Sequence, residues 1–427
     1  MIEFRQLSGI RRRRLGAVSW GTAVFLSRLT VRIIIASVCG LALIWGRSQP
    51  PLPPPLRTLP APERASEANV APSYVPGLGV PKYGDCVRVL SIDGGGMRGI
   101  IPALVLEEME KRSGRPAADL FDLMVGTSTG GLLALGLSKP KPGSPDSSQY
   151  SAKQLVDLYE KEGERIFPAL FAGNLRRILG PKFPPSGLEA VLDRYFGDTY
   201  FLEARTNVQV LAYEIEDRRH FSFLTWHDRF RHVYMREVAQ AATAAPTYFP
   251  PVRIPMYRSD YPKGYVALID GAVYANNPSP YALAAAKSRT RRTDTVFLVS
   301  LGTGAVSVPM PFGKAWGWGI WGWSEPLLNI VFSDPGVDEE LHHILPLGSY
   351  VRLQPTLVRH SGLDDADIVN VQALKRLTET FIRAHSMGLG KMVSRLTLPR
   401  PPDCQSLPGL KDRPAPARMN GPSNARQ

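Results

Sequence analysis

The sequence predicts an α/β protein with a mostly parallel central sheet. Apolar runs rich in β-branched residues end at glycine, and apolar residues at helical spacing follow the first two runs. The predicted strands are Cys86–Ile92, Phe121–Val125, Tyr265–Ile269 and Thr295–Leu301. Because ligands of an open α/β sheet bind beyond the carboxyl ends of its strands, we expect the functional residues directly after these runs.

Helices are predicted after the first two strands. The residues that share a helical face are Ile101, Leu104, Val105 and Met109, and then Leu132, Leu133 and Gly136. This alternation continues over residues 83–399, which we predict to be the folded, functional domain. Apolar residues make up 44% of the 427 residues, which is sufficient for a large core and excludes a wholly disordered chain.

The segments outside this range have a different composition. Residues 1–47 combine a basic block, Arg11 to Arg14, with the uncharged run Ile33–Gly46. At 14 residues this run is shorter than the ~20 that a membrane-spanning helix needs. We predict a single-pass membrane anchor with residues 1–30 in the cytoplasm. An export signal and a non-membrane extension, which would leave a cytoplasmic peripheral protein, are the alternatives.

Proline-rich residues 48–82 are predicted to form a stiff linker, and residues 400–427 a disordered basic tail. The net charge of +13 is concentrated at the two ends of the chain, since residues 1–70 carry +7 and residues 400–427 carry +3. The domain between them is therefore nearly neutral, which argues against nucleic acid as a partner. Three scattered cysteines, Cys39, Cys86 and Cys404, predict neither a disulfide framework nor a metal site.

The first chemically informative motif is glycine-rich and follows the first strand. It reads Asp93-Gly94-Gly95-Gly96-Met97-Arg98-Gly99 and opens a helix. Gly94, Gly96 and Gly99 satisfy the G-x-G-x-x-G pattern of a dinucleotide site, but the pattern alone is weak. Backbone N–H groups of consecutive glycines can also stabilise an oxyanion. A simple tight turn is the remaining alternative.

The second motif is G-x-S-x-G, from Gly126 to Gly130, between a predicted strand and a predicted helix. This context is typical of a nucleophile elbow with Ser128 at its apex. The alternative is a serine that caps the helix. The third motif, Asp270-Gly271-Ala272, ends the strand Tyr265–Ile269, where Asp270 is either a general base facing Ser128 or the acceptor of an Asx turn.

A serine hydrolase usually has a histidine base. The chain has seven histidines, and none of them stands at a glycine-bounded strand end: His220, His227, His232, His342, His343, His360 and His385. A triad remains open by chain order, because His342, His343 and His385 all follow Ser128 and Asp270. His342 and His343 are predicted to lie on the surface of a helix.

Taken together, the motifs resemble the patatin-like phospholipases, which are lipid acyl hydrolases. The resemblance covers roughly residues 84–395 and includes stretches beyond the three motifs: 120–137, 244–252, 270–278, 299–304 and 364–367. It implies a three-layer α/β/α fold and a Ser–Asp dyad without histidine. By motif position it makes Ser128 the nucleophile, Asp270 the base, and Gly94, Gly95, Gly96 and Arg98 the oxyanion site. The motif glycines Gly99, Gly126, Gly130 and Gly271, with Ala272, also match.

The resemblance implies an acyl-lipid substrate, such as a phospholipid, and contact with a membrane surface. Four tryptophans in eight residues, Trp316, Trp318, Trp321 and Trp323, are candidates for that contact. No metal-ligand cluster is visible, so we expect no metal and no cofactor. A triad esterase acting on soluble esters and a non-catalytic module that binds nucleotide or tethers a membrane are the alternative functions. Oligomeric state, headgroup and acyl position are not predicted.

Overall fold

The structure is a computed structural model that describes the chain from residue 85, except for several internal and terminal stretches. The described residues are 85–168, 180–256, 261–288, 296–306, 309–319, 322, 323, 326, 330, 336–357, 362–402 and 404. The chain divides into two units. One consists of Met1–Ala61 and Met310–Gly322, and the other of Pro62–Pro309 and Trp323–Gln427.

The larger unit is built on an eight-stranded sheet. Its strands are β1 (Val87–Ile92), β2 (Leu123–Thr127), β5 (Asn207–Glu214), β6 (Arg219–Leu224), β7 (Val252–Pro255), β8 (Tyr265–Asp270), β9 (Val296–Leu301) and β11 (Tyr350–Leu353). Two small pairs lie apart from it: β3 (Pro140–Lys141) with β4 (Ser144–Ser148), and β10 (Ala305–Val306) with β12 (Thr356–Leu357).

The strand order is β11-β9-β1-β2-β5-β8-β7, with β6 also paired to β5. The strands from β11 to β5 are parallel, whereas β6 and β8 run antiparallel to β5 and β7 antiparallel to β8. The mostly parallel sheet is therefore confirmed, with an antiparallel edge that the sequence did not indicate.

Helices cover both faces of the sheet. They are α1 (Ile100–Ser113), α2 (Thr129–Ser138), α3 (Ala152–Ile166), α4 (Pro185–Phe196), α5 (Met235–Ala242), α6 (Ser279–Lys287), α7 (Gly336–Ile344), α8 (Ile368–Ala384) and α9 (Ser386–Thr397). Alternate residues of β1 belong to different cores, because successive strand side chains point to opposite faces. Leu90 and Ile92 pack with α1 to α5, and Val87 and Val89 pack with α6 and α7. The fold is thus three-layered.

The predicted strands are confirmed to within two residues at each end, and α1 and α2 contain the predicted helical faces. The predicted membrane anchor, the linker and most of the tail lie outside the described residues, so they stay predictions, as do the domain boundaries. Within the part of the chain that the structure describes, no helix is long and apolar enough to cross a membrane.

The prediction that the cysteines form no disulfide is wrong. Cys86, just before β1, is bonded to Cys404 across 318 residues of sequence, with Cα atoms 5.3 Å apart. Nearby, Arg395 donates to Asp85 at 2.6 and 2.7 Å, and the Arg400 guanidinium donates to the Cys86 carbonyl at 3.3 Å. The start of the tail is therefore held against the first strand. Sequence spacing could not reveal this pairing, because it is created by the fold.

In the smaller unit, the described residues include a one-turn helix, Phe312–Ala315. The rings of Phe312 and Trp316 lie 5.5 Å apart at their centroids, and both side chains are substantially exposed. Trp321 lies outside the described residues. The lipid contact of this tryptophan segment stays a prediction.

Candidate active site

Ser128 lies on a sharp turn between β2 and α2. Its backbone has φ 53° and ψ −126°, a conformation that residues other than glycine rarely adopt. A Cβ on Gly126 would lie 2.3 Å from the Gly130 carbonyl, and a Cβ on Gly130 would lie 2.1 Å from the Ile92 carbonyl. Only glycine fits at these two positions, which explains the G-x-S-x-G spacing. The Ser128 side chain does not cap α2, so the helix-cap alternative is wrong.

Asp270 reaches the same place from an antiparallel strand. Thr127 pairs with Leu211 on β5, and the next β5 residue, Ala212, pairs with Asp270. Ser128 and Asp270 therefore flank β5 at one level of the sheet. Gly271 permits this approach, because a Cβ there would lie 2.7 Å from the Leu211 carbonyl.

The segment around Asp270 is fixed to its neighbours by hydrogen bonds. The Asp270 N–H donates to the Ala244 carbonyl at 3.0 Å. The Thr127 hydroxyl donates to the carbonyl of Ala275, at the end of a one-turn helix, Ala272–Ala275, that follows Asp270. The Thr127 hydroxyl thus joins the elbow to the segment that follows Asp270.

The Asp270 carboxyl is fully buried, and its two oxygens have different surroundings. Oδ1 accepts a hydrogen bond from the Ala272 N–H at 2.9 Å, the bond of an Asx turn. Oδ2 has no hydrogen-bond partner of standard geometry among the described residues. Burial raises the pKa of Asp270 to about 7, against the lowering effects of the Ser128 side chain and the Ala272 N–H. Ser128 and Asp270 line the same cavity, and Oδ2 is the carboxyl oxygen that accepts no hydrogen bond of standard geometry from the described residues.

The glycine loop lies beside the serine. A Cβ on Gly94 would lie 3.1 Å from the Ser128 Cβ. The Gly94 N–H, however, donates to the Asn276 carbonyl at 3.1 Å. The N–H groups of Gly95 and Gly96 donate no hydrogen bond to any described residue, and both glycines line the cavity that contains Ser128. Of the glycines predicted for an oxyanion, Gly95 and Gly96 are thus the two with available donors.

Two other residues of the loop do not line the cavity. Arg98 is buried at 2% exposure and lies off the cavity wall. A Cβ on Gly99 would lie 2.3 Å from the Thr129 hydroxyl, so Gly99 lets the loop pack on the start of α2. A distant segment also holds the glycine loop in place, because Met97 N–H donates to the Leu363 carbonyl at 2.8 Å.

The cavity has a volume of about 230 Å³. Ser128, Asp270 and the loop residues Gly95 and Gly96 all line it. The remaining wall is predominantly apolar and includes Leu132, Leu158, Ile166, Phe167, Leu188, Tyr248, Phe249, Val273 and Leu363. No lysine, arginine or histidine lines it among the described residues.

Comparison with known proteins identifies the family of this chain. A family model described as patatin-like phospholipase matches residues 90–283. Patatin-like protein 3 of Arabidopsis thaliana is 30% identical over 366 residues, which cover 74% of this chain and 84% of that protein. The chain belongs to the patatin-like phospholipase family. Patatin-like protein 1 of the same plant is 32% identical over 58% of this chain and 68% of its own length.

The described histidines of this patatin-like protein do not line the cavity that contains Ser128. His342 and His343 are exposed on α7, as predicted, and His385 bonds to the Phe381 carbonyl where α8 ends. His220 stacks on Tyr274 at 4.0 Å. No described histidine lines the cavity, and His360 lies outside the described residues. No described group of three or more His, Cys, Asp or Glu side chains could hold a metal ion.

Sequence reasoning did not assign two residues that line the cavity, Tyr248 and Leu363. Tyr248 and Leu363 line it from two distant segments, 244–252 and 362–367. Lys182 connects these segments, because its ammonium pairs with Asp364 and lies 5.4 Å from the Tyr248 ring centroid. The family resemblance includes residues 244–252 and 364–367, but only the fold shows that these two parts of the chain meet at this site.

Proposed function

We propose that this protein hydrolyses carboxylic esters of acyl lipids through an acyl-Ser128 intermediate, with Asp270 as the base. Membership of the patatin-like phospholipase family supports lipid acyl hydrolysis at the level of the family. The observation that carries the finer proposal is that Ser128, on a strained turn, and the buried carboxyl of Asp270 line one apolar cavity. Strain at the elbow adds support, because such strain is typical of functional sites.

The first half-reaction forms the acyl-enzyme. Ser128 Oγ attacks the ester carbonyl carbon while its proton passes to Asp270 Oδ2. The carbonyl oxygen becomes an oxyanion that accepts hydrogen bonds from the Gly95 and Gly96 N–H groups. When the intermediate collapses, the ester C–O bond breaks, and the alcohol leaves with the proton from Asp270. In other hydrolases, one such oxyanion donor contributes about 2.7–4 kcal/mol.

The second half-reaction returns the enzyme to its starting state. Water attacks the acyl-Ser128 carbonyl and gives a proton to Asp270, and the fatty acid then leaves as Ser128 regains that proton. An ordinary aspartate, with a pKa near 3.9, is a poor base for an alcohol. The raised pKa of Asp270, about 7, brings the base closer to the range in which proton transfer is efficient at neutral pH.

The cavity wall favours an acyl chain over a charged ligand. Apolar side chains surround the site, and no described cationic side chain lines it. A nucleotide would bring its phosphates close to Asp270 without a compensating charge, which disfavours the nucleotide-binding alternative. Asp122 lies near the spacing at which a dinucleotide site places its ribose-binding acid, but it accepts a hydrogen bond from Arg88 N–H at the start of β1. A triad esterase would need a histidine, and none of the described ones lies at the cavity.

Active-site labelling combined with lipid hydrolysis tests the proposal. The full chain is treated with a fluorophosphonate probe and assayed on phosphatidylcholine vesicles, alongside Ser128→Ala, Asp270→Asn and the control Ser138→Ala. Ser138 is a buried serine at the end of the same helix, α2. We expect labelling and hydrolysis in the wild type and in Ser138→Ala only. Hydrolysis retained by Ser128→Ala or Asp270→Asn would refute the dyad.

A further inference from the structure

A second cavity adjoins the one that contains Ser128. Its volume is about 240 Å³, close to the 230 Å³ of the first cavity. Leu188 and Phe249 line both cavities and are themselves buried, at 3% and 6% exposure. At this place the wall between the cavities is therefore one layer of side chains.

Three consecutive residues form another part of the wall. Thr243 and Ala245 line the first cavity, while Ala244, between them, lines the second. The Ala244 carbonyl accepts the hydrogen bond from Asp270 N–H, so this stretch is tied to the base. Leu188 lies outside this stretch, so its side chain can be changed without altering the residues bonded to Asp270.

Helix α4 fixes Leu188 at the junction. A Cβ on Gly187 would lie 2.1 Å from the Arg165 carbonyl, so this glycine allows α4 to approach the end of α3. Ile166, the next residue of α3, lines the first cavity, whereas Glu189 lines only the second. Leu188 thus lies at the boundary between an apolar cavity and a partly polar one.

We propose that Leu188, together with Phe249, determines the acyl-chain length that the enzyme accepts, by closing the active-site cavity against the second cavity. This inference rests on the proposed function, because the first cavity must hold the acyl chain. Joining the cavities would roughly double the space available to that chain. Each additional buried methylene would then favour a long chain by up to about fourfold.

The test compares Leu188→Ala with Leu192→Ala. Leu192 lies one helical turn further along α4, is equally buried and lines neither cavity, so its truncation matches the loss of side chain without opening the wall. The assay measures kcat/KM for p-nitrophenyl octanoate and hexadecanoate. If the opened wall fully buried two more methylenes of the hexadecanoyl chain, the hexadecanoate-to-octanoate ratio would rise about fifteenfold. Because Glu189 and Arg253 make the second cavity partly polar, we expect the hexadecanoate-to-octanoate ratio to rise at least about fivefold in Leu188→Ala.

The control variant should keep the ratio of the wild type. An unchanged ratio in a folded Leu188→Ala that still labels with fluorophosphonate would overturn the proposal. If Leu188→Ala does not fold, Leu188→Val should give a smaller shift in the same direction, and no shift there would also overturn it. Inactivity of the wild type on every ester would refute the proposed function instead. In that case, calorimetry measures the binding affinities of octanoate and hexadecanoate, and the hexadecanoate-to-octanoate affinity ratio should rise in Leu188→Ala but not in Leu192→Ala.

Discussion

Replacing Asp270 with asparagine should remove activity and at the same time stabilise the fold at alkaline pH. Burial raises the pKa of this carboxyl from 3.8 to about 7. The native state therefore holds the proton more tightly than the unfolded state. Stability falls as pH rises through the window between these two values and stays lower above it. The full shift corresponds to a cost of roughly 4 kcal/mol at alkaline pH.

Asparagine keeps an oxygen that can accept the Ala272 N–H but has no charge to bury. Urea denaturation of the wild type and Asp270→Asn, at about pH 4 and about pH 8.5, measures the effect. The gain in free energy of unfolding should be larger at the higher pH by an amount approaching 4 kcal/mol. Asp228→Asn, at an exposed carboxylate, should show no such increase. An Asp270→Asn gain that is equal at both pH values, or a loss at the higher one, would contradict the reasoning.

Three further predictions concern the ionisation of Asp270, the turn at Gly130 and the Cys86–Cys404 disulfide. The kcat/KM of the wild type should fall as pH decreases through about 7, because Asp270 must be ionised to accept the serine proton; a flat profile down to about pH 5 would count against it as the base. Gly130→Ala should lose nearly all activity, since its Cβ would lie 2.1 Å from the Ile92 carbonyl; activity and thermal unfolding check this. Cys86→Ser should reduce the free energy of unfolding by about 2–4 kcal/mol, and a dithiothreitol-treated wild type should match it in urea denaturation.

The sequence predicted the parallel half of the fold well, because its strands are apolar runs with sharp glycine ends. It did not predict β5, although this eight-residue strand lies between Ser128 and Asp270. It also predicted Gly94 as an oxyanion donor, whereas the Gly94 N–H is taken by the Asn276 carbonyl. Local patterns indicate where a backbone turns, but the acceptor of the Gly94 N–H is Asn276, which is far away in the sequence.

The disulfide bears on where the domain resides. Cys86 and Cys404 are joined, and structural disulfides persist in oxidising compartments rather than in the cytosol. The predicted anchor, with residues 1–30 in the cytoplasm, would place the domain on the opposite side of the membrane, where such a bond would persist. A protease-protection assay on intact cells, with detection at the carboxyl terminus, would test this orientation. A domain protected from external protease in cells whose surface is accessible would contradict it.

The proposed dyad requires a carboxylate to act as the base that histidine provides in a triad. Asp270 ends a strand that runs antiparallel to β5, so it enters the site from the opposite direction to Ser128 and stops at Ala212. The strand carries its carboxyl into the apolar interior, where burial raises the pKa to about 7. That value lies close to the ~6.5 of an ordinary histidine. In the proposed mechanism, a buried aspartate at the end of an antiparallel strand would therefore supply the basicity that a triad obtains from imidazole, and the same burial would lower the stability of the fold at alkaline pH.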